Sequence, residues 1–380
     1  MLTTSASELL AVDWLGVPST GSLVVFLLGW GAGWVGFLRA KSLPQSPSAE
    51  RVNDAERTNG AARATVSVIV PCRNEADNLQ HLLPSLHAAL QPTDEVIIVD
   101  DDSTDGTAAV AAGFTDRSVR VLPAGSLPAG WAGKSHACWI GAQRASREVL
   151  LFVDADVRVA PGAVDDVAAL AAQNTEAVVS AMPYHRTVGV IERLSMLFNT
   201  VSAMVASVVS TREPRRVAYG PFLAVHRDAY LRVGGHAHQH VRGAVVEDLA
   251  LARVMPRAVA VLAREQQVEY RMYPLGMRQL VEGWTKNTAI GANSVPRWSA
   301  ALIIVWVVSL CGGPLTSVWC YVLSAAQVGV MSRRVGNFGV VSAMLYPLHA
   351  IVFVTIALRS AARSVLVGRV AWRGRTIATR

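Results

Sequence analysis

The chain has 380 residues, 52% of them hydrophobic, a mean hydropathy of +0.33 and a formal net charge of +7. It is too long for one small domain and too apolar for a wholly soluble one, which predicts one large domain with appended membrane segments. The basic balance does not indicate nucleic acid: no Lys or Arg precedes Arg39, six arginines fall between Arg359 and Arg380, and no aromatic-and-basic binding motif occurs.

Charges gathered beside apolar runs are membrane-topology signals. The first run, Gly21–Leu38, is uncharged and close to the roughly 20 residues needed to span hydrocarbon. No positive segment precedes it, and Arg39 and Lys41 follow, so it reads as an uncleaved anchor with its N-terminus outside. Residues 41–64 are polar, rich in Pro, Ser and charge, and predict a linker.

From Thr65 to Ala181 the pattern changes. Short β-branched runs at Val66–Val70, Val96–Val99, Val119–Leu122, Val149–Val153 and Val178–Ser180 alternate with Ala- and Leu-rich helical stretches. Strands alternating with helices imply an α/β domain with a mostly parallel, Rossmann-like sheet, whose functional groups stand just beyond the carboxyl ends of the strands. The first run ends at Pro71 and leads into Cys72, Arg73, Asn74 and Glu75, where a nucleotide base and ribose can rest.

Three acidic clusters follow. The strand ending at Val99 runs into Asp100, Asp101 and Asp102, then a Ser/Thr/Asp/Gly turn; such carboxylates can accept hydrogen bonds from a uracil or guanine ring and a ribose, or form a solvated acidic turn. The strand ending at Val153 runs into Asp154-Ala155-Asp156, two carboxylates on one side of an extended chain. Such a pair can hold Mg²⁺ or Mn²⁺ if waters and substrate phosphates complete the shell. Between them, the Gly-flanked loop Gly130–Gly133 presents Lys134, either to a donor phosphate or simply to solvent. The third cluster, Glu247-Asp248, opens a helical stretch, where it can cap the helix or supply a general base.

Leu194–Ser210 is apolar but short for a span and reads as a buried or interfacial helix, as does the amphipathic Met277–Ala292. Trp298–Met331 is interrupted by Gly312, Gly313 and Pro314 and reads as one long span or a hairpin of two. Val340–Leu358 reads as another full span. An inside location for the Arg-rich end favours two crossings after the catalytic domain, three in all, which puts Arg333 and Arg334 outside. The four cysteines form no CxxC pair or zinc-spaced cluster and read as small buried hydrophobes.

The motifs PCRNEADN, VDDDSTDGT, GWAGKSHAC, FVDADV, SAMPYH, GPFLAVHRDAY, GGH, VEDLALAR and YRMYPLGMRQLVEGWTKN occur in that order. Together they resemble the family 2 glycosyltransferases of GT-A fold, and within them a membrane-bound branch acting on carotenoid acids, with hopanoid-associated glycosyltransferases as near relatives. The likeness covers about Val66 to Asn293 plus the flanking apolar segments. It implies a GT-A domain at 65–297 between a 1–40 anchor and transmembrane helices at 298–358, with a basic cytoplasmic tail at 359–380. It further implies donor binding by Pro71, Arg73, Glu75, Asp100, Asp101, Lys134 and Asp154, and a divalent metal, Mg or Mn, at Asp154 and Asp156. Catalysis falls to Asp248 as base beside Glu247.

Processive relatives carry a Gln-x-x-Arg-Trp motif; here Glu282-Gly283-Trp284-Thr285-Lys286-Asn287 stands in that region, so Trp284 and Lys286 are the candidates for acceptor and leaving diphosphate. The missing motif favours single-sugar transfer. The expected reaction inverts the anomeric centre, moving one sugar from a nucleotide sugar, UDP-linked in the first instance, to a carotenoid or other isoprenoid lipid at the plasma membrane. A polysaccharide synthase and a polyprenyl-phosphate transferase, the latter with Arg215 and Arg216 as its basic pocket, are the rival transferases; a non-catalytic membrane scaffold is the rival of another class. A Rossmann oxidoreductase is excluded because no GxGxxG follows the first strand.

Overall fold

The computed structural model describes residues 18–45, 63–114, 119–207, 217–292, 295, 297–366, 369–372 and 375–378. The basic candidates Arg215 and Arg216 and most of the predicted linker, residues 46–62, lie outside them. In chain order the elements are α1 (Thr20–Phe37), β1 (Val66–Cys72), α2 (Ala76–Ala89), β2 (Glu95–Asp100), α3 (Thr107–Gly113), β3 (Val119–Pro123), α4 (Gly133–Arg144), β4 (Val149–Val153) and β5 (Val157–Val159). Then come α5 (Ala163–Ala172), β6 (Ala177–Met182), β7 (Tyr184–His185), α6 (Val190–Arg193), α7 (Met196–Ser207), β8 (Phe222–His226), α8 (Arg227–Arg232), α9 (Glu247–Val254), β9 (Arg257–Leu262) and β10 (Val268–Tyr270). The chain ends with α10 (Met277–Ala292), α11 (Arg297–Thr316), α12 (Val318–Ser332), α13 (Gly339–Met344), α14 (Tyr346–Leu366), β11 (Arg369–Trp372) and β12 (Arg375–Ala378).

The chain divides into two compact units. The first holds the described residues of Lys41–Arg186 and Val209–Arg271. Its seven-stranded sheet has the order β3-β2-β1-β4-β8-β6-β9, and β8 alone runs antiparallel to its neighbours. A second sheet, β5-β10-β7, stands directly after the Asp154–Asp156 segment. All five predicted strands are present. The runs of Val, Ile and Leu in β1, β2, β4 and β6 are buried on both faces, as a helix-covered sheet requires, while the edge strand β3 is only partly buried. Gly141 lets α4 settle on the sheet: a Cβ there would lie 2.5 Å from Ile69 Cγ2.

The linker reading fails at its two ends. Leu43 N–H bonds Leu262 O at 2.8 Å and Leu262 N–H bonds Lys41 O at 2.8 Å, so residues 41–43 extend the edge of β9, with Leu43 fully buried. An edge strand left open would present unpaired backbone groups, and this segment covers them. Arg63 is clamped by Asp94 (2.6 Å) and Asp165 at the other end.

The second unit holds the described residues of Met1–Ala40, Thr187–Val208 and Met272–Arg380. Two of its helices, α1 and α11, are long and apolar enough to cross a membrane. Trp298–Met331 resolves into a tight hairpin of α11 and α12, with Ser317 capping α12 through a 3.3 Å bond from Cys320 N–H.

Side-chain contacts give the register of three helices. Gly29 meets Ser309, Gly33 meets Trp306, and Ser309 Oγ donates to Phe26 O at 3.0 Å, so α1 and α11 are antiparallel. Gln327 accepts from Trp306 Nε1 (2.9 Å) and donates to Trp30 O (2.7 Å), so α12 returns beside α1. At the far end Arg334 bonds Ala40 O at 2.8 Å and lies over the Phe37 ring at 5.5 Å. Arg333 and Arg334 therefore share an end of the bundle with Arg39, contrary to the expectation that they lie on the opposite side.

Val340–Leu358 is not one helix either. It breaks at Leu345 between α13 and α14, because Pro347 has no N–H for the carbonyl one turn back and its ring crowds that position. The Arg-rich end is structured: Arg359 and Arg363 lie in α14, and β11 and β12 pair antiparallel.

Candidate active site

The site candidates of the first unit collect at the carboxyl edge of the large sheet. β1 and β2 run parallel with Cys72 opposite Asp100, so the two following loops leave side by side. Asp101 N–H bonds Cys72 O at 2.8 Å, and Arg73 reaches back to the Asp101 carbonyl (3.2 Å) and carboxylate (3.3 Å). Asn74, in the left-handed region at φ 55°, accepts from Thr104 N–H at 2.8 Å, while its own N–H donates to Ser103 Oγ at 2.9 Å. Asp105 accepts from the N–H groups of Ala76 and Thr107, each at 3.0 Å. The Thr107 hydroxyl and these N–H groups stabilise its charge and lower its pKa. These bonds zip the Arg73–Glu75 loop to the Asp101–Gly106 loop. Asp100, half-buried at the strand tip, keeps one buried oxygen, Oδ1, without a hydrogen-bond partner among the described residues.

Lys134 stands in the first turn of α4. Its loop is set by Ala132 N–H on Arg242 O (2.7 Å) and by Gly243, whose lack of a Cβ admits Gly130 O. From there Lys134 Nζ spans Asp154 Oδ1 at 2.7 Å and Glu247 Oε1 at 2.8 Å. One cation thus joins three stretches separated in sequence: the Gly-flanked loop, the Asp-x-Asp tip of β4 and the head of α9. Asp154 N–H also bonds Pro221 O at 3.0 Å, which ties the tip of β4 to the segment entering β8. The adjacent Gly220 N–H donates to Asp248 Oδ2 at 2.6 Å, and Leu249 N–H donates to Asp248 Oδ1 at 2.8 Å.

Two neighbouring acids are driven apart by this arrangement. Burial penalises the charge of Glu247, but Lys134 outweighs it and the carboxyl pKa is lowered. Burial, reinforced by the charge of Glu247, pushes Asp248 up to about 7. The pair titrates as a unit, with the first proton lost well before the second. Lys134 is desolvated, yet Asp154 and Glu247 keep its pKa well above the ordinary lysine value. Beneath them His236 is neutral, its pKa lowered to about 4 by burial, and its ring Nδ1 meets the Tyr230 hydroxyl at 2.9 Å.

Asp154 and Asp156 are both half-buried while Ala155 between them faces the core, as extended alternation requires. Asp156 adds to the burial that raises the Tyr270 pKa. Among the described residues no group of three or more His, Cys, Asp or Glu is arranged to hold a metal. The Asp154–Asp156 pair offers two hard oxygen donors, which fits a cation that draws its remaining ligands from water and a diphosphate. Pro71 ends the core of β1, and Glu75, with Asn78 on its carboxylate at 2.7 Å, heads α2.

Trp284 and Lys286 belong to the other unit. The Trp284 ring is 6% exposed, stacks on Phe198 at 4.6 Å and donates through Nε1 to Ser195 Oγ at 2.9 Å. Its indole face is committed to the packing of α7, α10 and α14. Sequence reasoning passed over Gly220 as the donor to Asp248; its signal was the Gly-Pro pair opening a strand whose antiparallel direction cannot be read locally.

A mostly parallel sheet with one reversed strand, acids at the tips of β2 and β4 and at the head of α9, and a short second sheet after the Asp-x-Asp segment define a GT-A nucleotide-sugar transferase fold. The comparisons agree. Residues 67–234 match the family described as Glycosyl transferase family 2. A 4,4'-diaponeurosporenoate glycosyltransferase of Staphylococcus aureus (strain MRSA252) is 32% identical over 82% of this chain and 87% of its own length. The protein of the same name from Staphylococcus haemolyticus (strain JCSC1435) is 29% identical over 84% of this chain and 90% of its own. Among solved structures, the mannosyltransferase PcManGT from Pyrobaculum calidifontis, in complex with GDP-Man and Mn²⁺, superposes with a TM-score of 0.54 at 15% identity, over 91% of this chain and 98% of that one, and so shares the fold. The chain belongs to glycosyltransferase family 2.

Proposed function

We propose that this glycosyltransferase moves one sugar, with inversion, from a nucleotide-sugar donor, UDP-linked in the first instance, to an isoprenoid lipid acid held in the membrane. The observation that carries the reading is the Lys134 bridge between Asp154 and Glu247, which brings the Asp-x-Asp tip to the acid pair beside a carboxyl, Asp248, whose pKa lies near 7. The names of the relatives support the acceptor class.

The orphaned Asp100 Oδ1 and the carboxylate of Asp101 are acceptors for the ring N–H and ribose hydroxyls of the donor, with Pro71, Arg73 and Glu75 lining the same loops. Asp154 and Asp156 would hold a divalent ion, which supplies positive charge against the departing diphosphate. Lys134, 2.7 Å from Asp154, is the cation placed to meet the diphosphate oxygens; Lys286 is the further cation proposed for that role, with Trp284 supporting its helix. Asp248, oriented by Gly220 and Leu249, takes the proton of a hydroxyl acceptor as the new bond forms. A carboxylic acid acceptor, with a pKa of about 4, is already ionised and needs only orientation.

We also propose a plasma-membrane protein with three crossings, α1, α11 and α12, the arginine end of the bundle on the cytoplasmic side. The chain leaves α1 at that end and enters the catalytic unit, which is therefore cytoplasmic. The exposed apolar side chains Val25, Leu28, Ile304, Val308, Trp319 and Val330 support the crossings. At 15 residues, α12 spans about 22 Å and is accommodated by local thinning and by arginine side chains reaching to the headgroups. The test incubates membranes containing the protein with labelled UDP- and GDP-sugars, then extracts and weighs the lipids. Label is expected in lipid; label in a water-soluble polymer would instead establish a polysaccharide synthase.

A further inference from the structure

At the arginine end of the second unit lies an apolar surface that the transfer reaction does not use. Thr187 and Asn337 are joined there on both sides: Thr187 N–H to Asn337 Oδ1 at 2.6 Å, Thr187 Oγ shared between that oxygen at 3.0 Å and Asn337 O at 3.3 Å, and Asn337 Nδ2 to Thr187 O at 3.4 Å. Two short segments leave this junction, and both turn large apolar side chains outward. Val188 and Val190 lie on one, Val340, Val341 and Met344 on the other; Val190 is 80% exposed. The acid within the patch, Glu192, is turned inward, 3% exposed, with its carboxylate on Val188 N–H at 2.8 Å.

Cations frame the same end. Arg39, Arg297 and Arg333 are exposed at the ends of α1, α11 and α12, beside Arg334 at the Phe37 ring. From Met272 to Arg380 the chain carries eleven Lys and Arg residues against one acid, Glu282. That acid is engaged by Arg278 at 3.0 Å. An apolar patch rimmed by cations, with no exposed carboxylate of its own, matches the boundary between acyl chains and anionic headgroups. It does not match an acidic protein partner, which would leave the valines uncovered.

We propose that this patch docks onto the anionic phospholipids of the leaflet at the arginine end of the bundle. The proposal rests on the membrane reading above. The valines of 188–191 and 340–341 insert below the headgroups and Arg333 pairs with lipid phosphates.

The test uses the full chain in nanodiscs, with the exposed Cys311 replaced by Ser and a bimane fluorophore on Val190→Cys or, separately, on Val341→Cys. Brominated phosphatidylglycerol is compared with brominated phosphatidylcholine at equal mole fraction. Both positions are expected to be quenched, with a lipid preference of roughly fivefold for phosphatidylglycerol, the equivalent of about 1 kcal/mol per arginine near an anionic surface. Arg333→Gln is expected to reduce the preference and keep the quenching. Absent quenching at either position, equal quenching by both lipids, or a preference untouched by Arg333→Gln overturns the proposal. Sugar transfer measured in the same discs separates the two readings: loss of transfer with the lipid preference intact strikes the functional reading alone.

Discussion

At the residue scale, the decisive feature is that one lysine neutralises one member of an acid pair and leaves the other strained. Glu247 is paired with Lys134; Asp248, the next residue, has no such ion pair among the described residues, and its pKa rises to about 7. A base is useful only when ionised, so transfer to a hydroxyl acceptor should increase as pH rises through about 7 and level off above it. A carboxylate acceptor should show little of that rise. Asp248→Asn should cost roughly 10²- to 10⁴-fold in kcat with a hydroxyl acceptor and much less with a carboxylic acid; equal losses with both, in folded protein, would remove the distinction.

Linkage gives an independent check. The folded carboxyl holds its proton above an unfolded value of about 4, so the folded state binds more protons between about 4 and 7, and stability falls as pH rises through that window. Thermal melts should therefore show Asp248→Asn gaining on the parent from pH 4 to pH 7, with the difference constant above. A difference independent of pH would mean that Asp248 is not perturbed. Lys134→Met should lower stability at neutral pH, because it strands the buried Glu247 and the half-buried Asp154, whose shared cation is gone. It should also weaken binding of the nucleotide diphosphate, measured by calorimetry.

At the scale of elements, the sequence was informative wherever a pattern repeats locally. Five parallel strands follow from β-branched runs, because a strand buried on both faces, as β1, β2, β4 and β6 are, writes its burial into consecutive residues; two of them, β2 and β4, end in carboxylates. β8 was invisible as the reversed strand, since direction is set by partners far away in sequence, and β9 is too alanine-rich to stand out. The acid tips of β2 and β4 and the head of α9 were legible as separate motifs. The bridge that joins them was not, because a lysine in a glycine-flanked turn carries no record of what it reaches.

Helix breaks were read less well. Pro347 was present in the run taken as a span, yet a hydropathy window averages over it. The close approach of α4 to β1 tests the packing. An Ala in an open helix gains about 1 kcal/mol over Gly, but at Gly141 the new methyl would meet Ile69, and overpacking costs about 1–3 kcal/mol. Gly141→Ala should therefore lower the melting temperature; a rise would show that α4 can lift from the sheet without penalty.

On the scale of the whole molecule, the proposed reaction brings together a charged donor and a lipid acceptor, which favour different solvents. The chain has a sheet edge lined by acids in one unit, and apolar helices with arginines at one shared end in the other. The register of α1, α11 and α12 shows what hydropathy alone does not: Arg334 on Ala40 fixes which helix ends coincide. Gln327, bonded to Trp306 and to the Trp30 carbonyl, is the polar pin of that bundle, and Gln327→Leu should loosen it, seen as faster proteolysis of the full chain in detergent.

The account depends most on the diphosphate of a nucleotide sugar being gripped at Asp154 and Asp156 through a divalent ion. Calorimetric titration of UDP into the solubilised protein, with and without Mn²⁺, tests this directly. Binding is expected only with the ion present, and Asp154→Asn is expected to abolish it. Equal binding without the ion, or with the variant, would contradict the account.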